Sequence, residues 1–313
     1  MTAAGFPPGA PELSVVIPTL RRQGVLRRAL DRLEAQDTPP EAFEVVVVAD
    51  AREEDFEAVA KAVAGRRYEA RALQSDVAGA SAARNRGWRA ARAPLILFID
   101  DDTLSLPSLV SEHLAWHRDN PQDEVGVLGH VDWAAELTVT PFMRWLDRGL
   151  QFGYGNIQGR EAPLTNFYTA NASVKRAMLE RVGGFDEAEF PFRYEDTDMA
   201  RRMAPFGFRL LYNPNAPGEH LHAVTLEAWH RTVAIVARAE RRFMRRYPDA
   251  TPFFFNLFTR PAEPLRWRAL GARLAPIVPA TVPWLGPRVW ARARATYRQE
   301  LAQPFLAAWA RAD

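Results

Sequence analysis

Between Leu13 and Ile99 the chain alternates short apolar runs with stretches of helical spacing, and the last run ends in three consecutive acids. Leu13–Ile17 is a short β-branched run, Phe43–Val48 is a near-continuous valine run, and Tyr68–Leu73 and Leu95–Ile99 have the length of two further strands. Between them, Leu26, Leu30 and Leu33 share one helical face, Phe56, Val59 and Val63 mark a second helix, and 80–91 is alanine-rich and helical. This alternation predicts an α/β fold with a doubly wound, mainly parallel central sheet flanked by helices. Uninterrupted apolar strands agree, because strands buried on both faces need not alternate. The acids Asp100, Asp101 and Asp102 follow the final strand, and ligands of open α/β sheets bind at the carboxyl ends of strands. Adjacent carboxylates repel one another unless solvent or a cation offsets them. Hard cations such as Mg²⁺ and Mn²⁺ prefer oxygen ligands and bridge carboxylates to phosphates, so a metal–diphosphate site is expected here. The plainer reading is an acidic turn or helix cap before Leu106.

After the acids the regularity breaks down. A helix is predicted over 106–117, a strand over 125–131, an aromatic-rich segment over 133–154 and a strand over 167–174. A helix over 195–206, a strand over 208–212 and a long amphipathic helix over 225–247 follow. From Pro248 onward the chain is rich in proline, arginine and aromatics and reads as an irregular helical extension. The expected organisation is one catalytic-type domain over 1–225 and a basic helical extension over 226–313.

The 313 residues, 48% hydrophobic and 25% charged, suit a folded chain, and the lack of cysteine excludes disulfides, thiolate metal sites and cysteine nucleophiles. Residues 1–11 have no basic region before an apolar core, so no signal peptide is expected. The longest charge-free apolar stretch, 274–287, is too short and proline-rich to span a bilayer, and a cytoplasmic location is expected. The formal net charge of +2 hides an asymmetry: from Leu226 to Asp313, 15 arginines face 6 acids. A basic tail bearing Trp267, Trp284 and Trp290 is suited to an anionic surface, and a peripheral membrane contact is one expectation. The plainer reading is that arginine is this chain's preferred cation, since lysine occurs only at positions 61 and 175.

Three further constellations carry chemistry. Gly79 to Gly87 supplies small residues at a helix start, whose free amides attract phosphate, with Arg84 adding a charged fork. Gly183-Gly184 closes one helix, and Tyr194-Glu195-Asp196-Thr197-Asp198 opens the next. Met199, Met203 and Phe206 lie at spacings that put Asp196 on the same inward face, where a carboxylate is a candidate general base. Asp198 points elsewhere, as a cap or an arginine partner. Glu219-His220-Leu221-His222 places two histidines at alternate positions, so at least one is a candidate metal ligand.

In order, the motifs Ser14-Val-Val-Ile-Pro-Thr19, Val45-Val-Val-Val-Ala-Asp50, Ala83-Arg-Asn-Arg-Gly87, Phe98-Ile-Asp-Asp-Asp102, Gly183-Gly-Phe-Asp186 and Glu195-Asp-Thr-Asp198 resemble the inverting family 2 glycosyltransferases of the GT-A fold. The resemblance runs from Leu13 to about Trp229. It implies transfer of a sugar from a nucleotide diphosphate donor to a carbohydrate or lipid-linked acceptor hydroxyl, with Mn²⁺ or Mg²⁺ and no nucleic-acid partner. Asp50 would contact the nucleotide base near Pro18 and Thr19, Arg84 would lie along the nucleotide, Asp100 and Asp101 would belong to the donor pocket with Asp100 facing the ribose, and Asp102 would bind the metal. Asp196 would be the base, with Glu195 as the neighbouring alternative, and His220 or, second, His222 would complete the metal shell. Many relatives carry a second acid and a Gly-Ser turn where this chain has Ala49-Asp50-Ala51-Arg52-Glu53, which leaves the nucleotide base open. Aromatics of the 133–154 segment, chiefly Trp133, Trp145 and Tyr154, are the candidate acceptor platform. The competing readings are a non-catalytic relative that binds nucleotide sugars or anionic surfaces and, ranked lower, a sugar-nucleotide pyrophosphorylase, for which 19–24 is a poor glycine-rich loop.

Overall fold

The computed structural model describes residues 10–261 and 268–312, which form two compact units. The first comprises 10–135 and 156–222, and the second 136–155 and 223–312. The chain runs β1 (Leu13–Thr19), α1 (Gln23–Leu33), β2 (Phe43–Ala49), α2 (Phe56–Val63), β3 (Glu69–Gln74), α3 (Ala80–Ala90) and β4 (Leu95–Ile99). It continues through β5 (Thr103–Ser105), α4 (Leu109–Asp119) and β6 (Val125–Trp133) to α5 (Pro141–Leu146), which belongs to the second unit. The first unit resumes with β7 (Glu161–Ala162), β8 (Asn171–Lys175), α6 (Arg176–Val182), α7 (Glu195–Met203) and β9 (Arg209–His220). The second unit is completed by α8 (Leu226–Arg246), α9 (Phe253–Thr259), α10 (Arg268–Leu274) and α11 (Leu285–Arg311).

One sheet organises the first unit, in the order β3-β2-β1-β4-β8-β6-β9-β5, with β7 paired to β9. From β3 to β4 every pairing is parallel, as the crossover helices require. Leu26, Leu30 and Leu33 of α1 bury their shared face in a cluster with Val15, Ile17, Val45 and Val47. On α3 a Cβ at Gly87 would meet Val16 Cγ1 at 2.3 Å and Val48 Cγ2 at 3.2 Å, so the glycine lets this helix lie close against the sheet.

Beyond β4 the expected parallel order gives way to a mixed one. β4–β8, β6–β8, β5–β9 and β7–β9 are antiparallel, while β6–β9 is parallel. β8 follows β4 only after β5, α4, β6, α5 and β7, and it meets β4 in the opposite direction, so the strand–helix–strand repeat of the first half ends there. β9 extends well past Tyr212, where the sequence pattern stops. Its pairing with β6 shifts between Gly129 and His130, taking up Pro214 through Ala216 in a bulge, and the alternation is lost there. β5, a three-residue strand directly after the acids, carries no periodic signal and forms because Thr103 pairs with His220.

In the second unit α8 buries Trp229, Val233, Val236 and Phe243. α11 is one 27-residue helix despite Pro304 within it, burying Ala293, Tyr297, Leu301 and Phe305. The tail is therefore more regular than an irregular extension. Buried Glu240 accepts hydrogen bonds from the Phe254 and Phe255 amides, both at 2.7 Å, and so satisfies the start of α9. Phe258 packs against Phe305 with tilted rings, their centroids 4.9 Å apart. Among the described residues no helix is long and apolar enough to cross a membrane. Trp267 lies outside the described residues.

Candidate active site

The parallel half of the sheet brings the ends of β1, β2 and β4 together, and the acids after β4 are engaged on several sides. Thr19 Oγ1 donates to Asp101 Oδ2 at 2.7 Å. Arg22, at the start of α1, reaches Asp101 Oδ1 at 3.0 Å and Asp102 Oδ2 at 2.7 Å. Burial pushes the Asp101 carboxyl up to about 7, because the charge of Arg22 only partly offsets desolvation and the neighbouring acids. Asp102 is equally buried, yet hydrogen bonding and charge from His220, with the charge of Arg22, hold it below the usual carboxylate range. In the sequence, residues 21–22 enter only as part of the 19–24 loop, with no link to the acids. Their placement depends on Glu53, which accepts the Arg21 amide and also bonds Gln23 Nε2 at 3.1 Å.

The β5–β9 pairing delivers the histidines. His220 Nε2 lies 3.4 Å from Asp102 Oδ2, and His222 Nδ1 lies 3.6 Å from the same oxygen. Asp102 Oδ1 is buried and makes no hydrogen bond, which fits a cation ligand held in reserve. Among the described residues, however, no three carboxylate or imidazole groups stand as a preformed metal cage. Asp102, His220 and His222 are brought to one oxygen rather than around a common centre, and Arg22 supplies the positive charge there.

Arg84 of α3 is buried between two acids, with Nη2 2.9 Å from Asp100 Oδ1 and Nη1 3.0 Å from Glu195 Oε1. Glu195 and Asp196 open α7, whose Met199 and Met203 are buried, as the face argument expects. Phe206 is exposed instead, since a 3₁₀ turn over Ala204–Phe206 rotates it off that face. Asp196 is partly buried and carries two bonds from Thr169, N–H to Oδ2 at 3.1 Å and O–H to Oδ1 at 2.8 Å. Burial, reinforced by the Glu195 charge, pushes its carboxyl up to about 7 despite Arg84 and Thr169. Asp198 is fully buried and pairs with Arg202 at 2.8 Å, the arginine-partner role expected of it. Arg193, with φ 67°, stands beside this acidic group, where Glu195, Asp100 and Asp196 oppose the effect of burial on its guanidinium. Thr169 and Arg193 escape a sequence reading because neither belongs to a motif.

Asp50 is occupied within the chain. Arg52 donates to it from its backbone and from its side chain, at 2.9, 2.7 and 2.9 Å, and the Gly79 amide donates at 2.7 Å. Burial opposes ionisation, but these bonds outweigh it and lower the pKa. Asp50 thereby ties the end of β2 to the turn that opens α3. Gly79 has φ 123°, and a Cβ there would meet Pro191 O at 2.8 Å, so this turn needs glycine. Pro18 lies at the partly exposed end of β1 beside Val48.

The aromatic platform is not one surface. Trp133 ends β6 and is buried edge-on to His220, ring centroids 5.5 Å apart. Trp145 and Tyr154 belong to the second unit. Trp145 is buried between Phe142 and Tyr297, at 5.7 and 5.8 Å, as core packing rather than an open stacking face. Tyr154 neighbours Phe152 at 6.2 Å.

The mixed α/β sheet with its flanking helices is structurally similar to the GT-A glycosyltransferases. The model of the family described as Glycosyl transferase family 2 matches residues 14–183, and the chain belongs to that family. It is 29% identical over 284 residues to the validoxylamine A glucosyltransferase of Streptomyces hygroscopicus subsp. limoneus, covering 79% of this chain and 60% of that protein. It thus spans less than two thirds of that curated relative's length. The mannosyltransferase PcManGT from Pyrobaculum calidifontis, solved with GDP-Man and Mn²⁺, has a similar fold, with a TM-score of 0.58 at 21% identity, covering 99% of this chain and 78% of that one. S. aureus TarS 1–349, solved with UDP-GlcNAc, superposes with a TM-score of 0.52 at 17% identity, covering 95% of this chain and 92% of that one.

Proposed function

We propose that the first unit moves a sugar from a nucleotide diphosphate donor to an acceptor hydroxyl, with inversion and with the help of Mn²⁺ or Mg²⁺. The observation that carries this reading is Arg84, which ties Asp100, at the end of β4, to Glu195, beside the candidate base. Transfer needs donor and base held in fixed register, and one buried guanidinium joining the two acidic elements provides it. Asp196 takes the acceptor proton. With its pKa near 7 it is substantially ionised at neutral pH, and Thr169 fixes the direction of its oxygens. Glu195 positions rather than abstracts, because Arg84 holds it.

Pro18, Thr19, Asp50, Asp100 and Asp101 surround the donor, Asp50 acting through the Gly79 turn. Asp102 with His220 or His222 would hold the cation, which supplies Lewis-acid charge to the departing diphosphate. The acceptor is a carbohydrate or a lipid-linked hydroxyl, with Trp133 the aromatic nearest the histidines. The bound GDP-Man and Mn²⁺ of PcManGT and the UDP-GlcNAc of TarS support the donor class.

Calorimetry with UDP, GDP and dTDP, with and without Mn²⁺, tests the donor site on the wild type and Asp102→Ala. Metal-dependent binding of one nucleotide, abolished by the substitution, is the expected result. Binding of none would overturn the reading in favour of a non-catalytic relative.

A further inference from the structure

The second unit contains a cavity of about 450 Å³ that the transfer reading does not use. Arg144, Trp145 and Arg148 line it from α5 and the turn after it, Trp290 and Arg294 from α11, and residues 279–281 form the remaining wall. The walls are built. Trp145 is held by Phe142 and Tyr297. Trp290, half-buried rather than free to lie on a surface, donates through Nε1 to Val278 O at 2.9 Å and anchors the 279–281 turn. Gly286 permits that turn, since a Cβ there would meet Pro279 O at 2.4 Å.

Arg144 and Arg148 are exposed and make no ion pair among the described residues. On either side of the 279–281 turn, the connection from α10 to α11 carries the most exposed large apolar side chains among the described residues, Ile277 at 75% and Trp284 at 80%, and Leu285, which opens α11, is 51% exposed. From Arg268 to Gln299 the sequence has six arginines and no acid. Guanidinium groups at a cavity recognise phosphate oxygens, and a projecting loop of tryptophan and aliphatic side chains is costly in water but stable at a bilayer interface. Basic residues flanking such a loop complement the charge of anionic lipids.

We propose that this cavity receives the phosphate headgroup of an anionic lipid while Ile277, Trp284 and Leu285 enter the interface, seating the second unit on a membrane surface. The proposal does not depend on the transfer reading.

The test is co-sedimentation of the full chain with vesicles of phosphatidylcholine alone and of phosphatidylcholine with phosphatidylglycerol. The expected result is binding to the anionic vesicles only, weakened about thirty-fold in Arg144→Ala/Arg148→Ala. Ile277→Ser/Trp284→Ser should weaken it independently, with the thermal transition of both variants unchanged. No binding by the intact chain, or equal binding by the double arginine variant, would overturn the proposal. So would calorimetric binding of inorganic phosphate without vesicle binding, which would make the cavity a free-phosphate site. A dimer in light scattering that Trp284→Ser converts to monomer, without vesicle binding, would assign the loop to self-association instead.

Discussion

Arg22 Nη2 lies 2.7 Å from Asp102 Oδ2, and the same guanidinium reaches Asp101, so one arginine neutralises two of the three acids that follow β4. A divalent cation and Arg22 therefore compete for the same charge. Arg22→Gln should tighten Mn²⁺ binding in the absence of nucleotide. A partly exposed pair contributes up to about 1 kcal/mol, which corresponds to about fivefold in affinity. Mn²⁺ titration followed by electron paramagnetic resonance reads this directly. Unchanged or weaker binding would show that Arg22 is not the competitor.

Asp196→Asn should lower turnover by roughly 10²- to 10⁴-fold while leaving donor binding intact. The wild-type rate should rise through about pH 7 as the carboxylate ionises. The same shift has a stability consequence. The folded pKa lies above the ordinary 3.8, so folding favours the protonated form. Its contribution is complete below 3.8 and is lost as pH rises through about 7. Asp196→Asn should accordingly raise the thermal midpoint relative to wild type above pH 7, with much less difference under acid conditions. A difference independent of pH would contradict the assignment.

Thr169→Val removes one of the two bonds to Asp196 and keeps the backbone one. Hydrogen bonds to a charged group contribute about 1.5–3 kcal/mol, so the apparent pKa of the rate should rise by about one unit or more, with the high-pH plateau retained. A uniform fall in rate at every pH would instead indicate simple structural damage.

Gly87 closes the Ala83–Gly87 motif, and its importance is steric. Gly87→Ala drives a methyl group into Val16 and should cost about 1–3 kcal/mol in urea unfolding. An unchanged midpoint would mean that α3 can lift from the sheet freely.

The parallel half of the sheet was legible because each of its strands and helices is announced locally. The run from Val45 to Ala49 in β2 is apolar throughout, and Leu26, Leu30 and Leu33 recur at helical spacing. The other half was less so. The proline-bearing bulge of β9 breaks its alternation, and β5 is a strand only because His220 lies beside Thr103.

For the site, the sequence by itself determined which acids and histidines are present and the order in which they follow their strands and helices. Tertiary structure decided their states. Arg84 joins acids 16 and 111 residues away, Thr169 meets Asp196 27 residues on, and Arg22 reaches Asp102 80 residues away. It also divided the 133–154 aromatics between two units. The reason is physical. Periodicity records which face of an element is buried, whereas the strength of a charge pair or hydrogen bond depends on burial and on partners that only the assembled sheet brings within 3 Å or so.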